Sequence, residues 1–109
     1  VKDSRYRVGR ANIFRDLGFP DDEAEVALAK SELISAIAGT IAARKLTQRQ
    51  AARLCRTDQP TLSKVLRGRM ESVTIDRLAA WLKALGRSVD IRVRSRIVRG
   101  GGRLTVHAA

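Results

Sequence analysis

The chain has 109 residues, one domain's worth with little to spare, and at 44% hydrophobic it is too apolar to be fully disordered. Its 22 Lys and Arg against 11 Asp and Glu leave a net charge of +11, a balance that points to a polyanionic partner, most simply nucleic acid. A single cysteine (Cys55) and a single histidine (His107) exclude an intrachain disulfide and a Cys/His zinc centre, no apolar run reaches a membrane span, and no signal-peptide pattern opens the chain.

Residues 1–10 have no apolar period and are expected to form an arm. Asn12 can cap a short turn carrying Ile13, Phe14 and Leu17, with Gly18 as its stop. Pro20 then blocks helix at Phe19, which gives an N-terminal unit over 1–21. Asp22 and Glu25 have capping-box spacing, and a long helix follows to about Arg44. Val26, Ala29, Leu33, Ile37 and Ile41 recur at three and four and define its buried stripe, widened by Ile34. Gly39 inside that helix costs about 1 kcal/mol relative to Ala unless close packing needs it.

Thr47 is the next cap and opens a short helix, Gln48 to Cys55, with Ala51, Ala52 and Leu54 turned inward. Thr57 or Asp58 caps another, with Pro60 in its first turn, running to about Arg67 and stopping at Gly68. Thr74 caps a fourth, with Ile75, Leu78, Leu82 and Leu85 as its stripe and Gly86 as a left-handed stop. Beyond Gly86 the period falls from 3.6 to 2. Val89, Ile91, Val93 and Ile97 alternate with Asp90, Arg92, Arg94 and Arg96, the pattern of a half-buried strand. Gly100–Gly102 break it, and Leu104 and Val106 alternate once more. The expected architecture is mainly α: a bundle of four main helices over 22–87, followed by a strand or hairpin over 88–109.

The charge is uneven along this plan. Residues 1–43 hold 6 basic and 7 acidic residues; residues 44–69 hold 8 basic residues and one acid, Asp58. Composition alone would allow a merely solvated basic face. The segment 47–68, TQRQAARLCRTDQPTLSKVLRG, says more. Two helices of eight or nine residues joined by about three cannot lie antiparallel and must cross steeply, as a helix-turn-helix does. Ala52 supplies the small residue at the crossing, and Leu62 and Val65 face back toward Ala51 and Leu54. Gln59, Pro60, Thr61, Ser63, Lys64 and Arg67 are left outward, none of them acidic.

On Thr47–Gln48, Ala52, Gln59 and Gly68, the segment resembles the DNA-binding core of the Xre family, the λ-repressor-like proteins. The turn departs from the family's pattern, with Cys55 or Arg56 where Gly is usual. A narrower resemblance rests on NIFRDLGFPDDEAE, LTQRQAARL, DQPTLSKVLRGR and TIDRLAAWLKALGRSVDIRV, spans roughly residues 11–94, and is to HigA-type antitoxins of the Xre class. A strand after the fourth helix, where phage repressors have a fifth helix, favours that reading. The resemblance implies operator binding as a homodimer, autorepression, and capture of a RelE/HigB-like ribonuclease toxin, in the cytoplasm and on the nucleoid. A phage-type repressor with no toxin is the alternative, and a module working mainly by toxin capture is a third reading. An RNA binder ranks lowest, because no aromatic residue lies in the basic middle third to stack on bases.

By the same resemblance Gln59 reads a base, and its amide can pair bidentately with adenine. Lys64 reaches guanine or a phosphate one turn on. Pro60 can touch only a thymine methyl, or simply start the helix, and Thr61 and Ser63 are weaker candidates. Gln48 is expected on a phosphate and as a buttress of the recognition helix. Arg49, Arg67 and Arg69 are backbone-phosphate candidates; Arg53 is more simply a solvated charge. Dimerisation is expected through Val89, Ile91 and Val93, with Trp81 on the fourth helix as the rival contact and otherwise core. Cys55 reads as a small core residue beneath the turn. Nothing resembles a catalytic constellation, a phosphate-cradling loop or a cofactor site, so no enzymatic activity and no cofactor are expected.

Overall fold

A computed structural model describes residues 21–108; the expected arm and the Asn12-capped turn lie outside them. Four helices follow one another: α1 (Asp21–Ala43), α2 (Gln48–Leu54), α3 (Gln59–Leu66) and α4 (Ile75–Ala84). The long α1 packs along α4 and against α3, and α2 packs on α3. Their shared core is centred on Ile37, Leu62, Leu78 and Leu85, all fully buried, one from each of α1, α3 and α4 and one from the end of α4.

Three caps stand where the sequence places them; the one expected at Asp22 does not, because the helix already includes Asp21 and Asp22 and Glu25 accepts from the Leu104 N–H instead. Thr47 accepts from the Gln50 N–H at 3.1 Å while its own N–H donates to the Gln50 side chain at 2.8 Å, a complete capping box. Asp58 accepts from the Thr61 N–H at 2.8 Å and Thr74 from the Arg77 N–H at 3.2 Å. The four C-termini share one hydrogen-bond pattern, a crossed pair that returns the last two N–H groups to carbonyls of the final turn. These are Leu46 to Ile41, Thr57 to Ala52, Arg69 to Lys64 and Arg87 to Leu82, at 2.9–3.1 Å, each with its inner partner. The pattern needs one left-handed residue. Gly68 and Gly86 supply it after α3 and α4, but Lys45 (φ 55°) and Arg56 (φ 56°) supply it after α1 and α2. A side chain there costs about 1–2 kcal/mol, so packing of the flanking helices must hold both turns.

Long side chains tie α1 to its neighbours. Arg44 donates to the Leu85 carbonyl at 3.0 Å, Arg87 to the Thr40 hydroxyl at 3.2 Å, and Lys30 to the Met70 carbonyl at 3.0 Å. Two expected inward residues are displaced. Leu54 is 41% exposed, because α2 is only two turns long and turns Ala51, Ala52 and the following Cys55 to the core instead. Val26 lies at the margin of α1's buried face, where Ala24, Ala27 and Ala29 are the buried residues.

A Cβ on Gly39 would meet nothing within 4 Å, so close packing does not require the glycine. Gly39→Ala should therefore raise stability by about 1 kcal/mol, seen as a thermal midpoint roughly 4–8 °C higher. An unchanged or lower midpoint would mean that α1 needs its glycine for another reason.

The expected strand or hairpin over 88–109 is not found among the described residues: no residue of 88–108 has strand pairing. An alternating pattern gives a strand its faces, but its backbone needs a ladder partner, and here Leu104–Val106 does not return to 89–98. The Leu104 N–H donates instead to Glu25 of α1 at 2.7 Å, and Val106 packs at the edge of the core. Ile91, Val93 and Ile97 are left 88–93% exposed.

Candidate nucleic-acid interface

Residues 44–69 fold into α2, a four-residue turn and α3. The turn is built from backbone bonds at Cys55, Arg56 and Thr57, with Arg56 as its left-handed residue. It answers the departure seen in the sequence: Arg takes the glycine's conformation. Beneath it Ala51, Ala52, Cys55, Leu62 and Val65 are buried, so α2 and α3 meet through small and branched apolar side chains. Packing fixes the rotation of α3, and with it the face presented to solvent.

That face carries the residues singled out from the sequence. Gln59, Pro60, Lys64 and Arg67 are exposed on or just after α3, and Arg69 follows at the turn. Thr61 and Ser63 are half-buried, which shortens their reach, and the Thr61 N–H is committed to the cap. Gln48 and Arg49 are exposed at the start of α2. Lys45, also exposed, stands two residues before the cap and adds a further cation to this stretch. It was not singled out from the sequence, because a charge in a turn carries no periodic signal.

Asp58 is the one acid among residues 44–69, and it is spent on capping α3. The bond from the Thr61 backbone holds its carboxyl below the usual carboxylate range, assisted by the Thr61 hydroxyl and by the charge of Lys64. A depressed pKa contributes stability that is present above about pH 4 and is lost as pH falls through the folded value. Asp58→Ala should therefore lower the thermal midpoint at neutral pH and lose less on acidification than the parent; parallel melting profiles across that range would exclude the linkage. The Asp76 carboxyl at the start of α4 is likewise held down, chiefly by its bond with Thr74.

Two further expectations find their place behind this face. Cys55 is buried, its thiol directed at the Trp81 carbonyl at 3.8 Å, and burial pushes its pKa up. A redox-reactive thiolate would need the opposite shift. Trp81 is 3% exposed within a single chain, with the Arg77 guanidinium 5.7 Å from its ring centroid. Its ring is core, so the rival dimer contact through it lacks an exposed surface. Leu54, Arg56, Arg77, Ala80 and Ala84 border a shallow open groove beside it. No cluster of metal-ligating side chains occurs among the described residues.

The arrangement is an acid-free helix surface with an amide and an ammonium five residues apart, about 1.4 turns, rimmed by cations and rigidly held. It can enter a major groove and place donors against base edges while the rim takes phosphates. Residues 13–94 match the helix-turn-helix domain family. A solved structure described as an XRE family transcriptional regulator is 32% identical, with a TM-score of 0.71, over 83% of this chain and 100% of that one. No curated protein matches the chain.

Proposed function

The chain belongs to the helix-turn-helix domain family, and from that premise we propose that it is a sequence-specific, double-stranded DNA-binding transcriptional regulator of the Xre kind. The observation that carries this reading is the outward face of α3: exposed Gln59 and Lys64 on a helix locked from behind, with no acid facing out. Gln59 and Lys64 read bases, with Pro60, Thr61 and Ser63 as flanking contacts. Gln48, Arg49, Arg67 and Arg69 hold the phosphates on either side.

The regulator acts as a homodimer, with residues 88–98 of two copies pairing antiparallel through Val89, Ile91 and Val93. This would give the segment the ladder partner it lacks among the described residues, and a two-fold axis makes the contact self-complementary. Its regulatory role is that of an antitoxin, repressing its own operon and neutralising a RelE/HigB-like ribonuclease in the cytoplasm. What supports this over a phage-type repressor is that no fifth helix follows α4 among the described residues.

Selection from a random duplex library tests the DNA reading. The recovered site should be two-fold symmetric, with half-sites about one helical turn (~34 Å) apart; recovery of unrelated sequences would remove it. The antitoxin reading requires a neighbouring gene whose product arrests growth alone and is tolerated when this chain is co-expressed.

A further inference from the structure

The C-terminal segment is a closed loop rather than a tail. At one end Arg87 donates to Thr40, and at the other the Leu104 N–H donates to Glu25, both on α1. These anchors lie fifteen residues apart on one helix, about 22 Å. The sixteen residues between them could span roughly 53 Å if extended, so they must bow outward, and residues 90–103 are exposed throughout. The bow carries five arginines, Arg92, Arg94, Arg96, Arg99 and Arg103, all exposed, against a single acid, Asp90. Among the described residues Arg92, Arg94, Arg96 and Arg99 hold no hydrogen bond or ion pair.

We propose that this loop is a second DNA contact, in which Arg92, Arg94 and Arg96 grip consecutive phosphates of the duplex backbone outside the helix-turn-helix. The proposal rests on the DNA-binding reading of the chain and adds a surface to it. Three observations select the duplex. With the bend at Ser95 opened to an extended backbone on DNA, arginines at period two would repeat every ~6.6 Å along one face, a spacing comparable to that of successive phosphates along one strand. The guanidinium fork suits phosphate bidentately, and no lysine interrupts the row. The loop also has no aromatic residue, so it offers no platform for unpaired bases. In that extended form Ile91 and Val93 would fall on the opposite face, leaving the arginine face open when the two copies pair.

Because these contacts are to the backbone, they can be read on a mixed-sequence duplex about two helical turns long, without knowledge of the operator. The probe is fluorescence anisotropy of that duplex across salt, with sedimentation confirming that each variant keeps the parent's mass. Arg92→Ala/Arg94→Ala/Arg96→Ala should reduce the slope of log affinity on log salt by ~2.7. Between about 50 and 200 mM salt the parent should then fall ~40-fold further than the variant. Arg92→Lys/Arg94→Lys/Arg96→Lys should keep most of the slope. Arg53→Ala/Arg77→Ala/Lys83→Ala, which removes the same charge elsewhere, should change it by less than ~1. An unchanged slope in the alanine variant, while Arg67→Ala still lowers it, would overturn the loop contact but leave the helix-turn-helix reading intact, and would assign the row to an acidic protein surface. An equal loss in the charge-matched control would overturn it as well. A parent with no salt-dependent duplex binding would overturn both readings.

Discussion

Gln59→Ala combined with Lys64→Ala should abolish the distinction between operator and non-operator DNA while leaving the fold untouched. Each bidentate base contact is worth ~1–3 kcal/mol of discrimination, so losing both should weaken operator binding by about 30-fold or more. Both side chains are exposed, and the core beneath α3 is made by Leu62 and Val65. The stability should therefore stay within about 0.5 kcal/mol of the parent's. Non-specific affinity should persist, carried by the arginines on either side. The measurement is a competition gel shift with the selected site against a scrambled one. Retained selectivity would mean that another face of the molecule reads the sequence.

Ile91→Asp should convert the dimer to a monomer and remove operator binding at low protein concentration. Ile91 is 88% exposed in one chain, so an aspartate there costs the monomer little. In a paired ribbon the same carboxylate would lie close to its symmetry mate in an apolar row, where burial and like-charge repulsion oppose pairing. Losing the dimer loses the coupling of two half-sites, so the effect on binding should exceed that of any single phosphate contact. Sedimentation and circular dichroism check it together. A dimer with unchanged helix content would move the interface away from the 88–98 segment, and the groove bordered by Leu54, Ala80 and Ala84 would be the next surface to substitute.

Local chemistry wrote much of this molecule directly into its sequence. Thr47, Asp58 and Thr74 cap because a short side-chain oxygen next to a helical run satisfies orphan N–H groups wherever it occurs, and Gly68 and Gly86 end helices because they accept a left-handed backbone without strain. The 3.6 period identified the centre of the buried faces, Leu33, Ile34, Ile37 and Ile41 on α1 and Leu78, Leu82 and Leu85 on α4, but not their margins, where Val26 is exposed and Ala24, Ala27 and Trp81 are buried. Tertiary structure decided what depends on a partner. Which residue of the α2–α3 turn would go left-handed was undetermined until packing chose Arg56. Leu54 was expected inward and lies exposed, at the end of a helix too short for periodicity to resolve, while Cys55 is buried beneath the turn as expected. Trp81 could have been core or contact, and only the enclosure of its ring by the rest of the chain made it core. The 88–98 segment shows the limit most plainly: alternation defines two faces, but a strand exists only when another strand supplies its hydrogen bonds, and the described residues contain none.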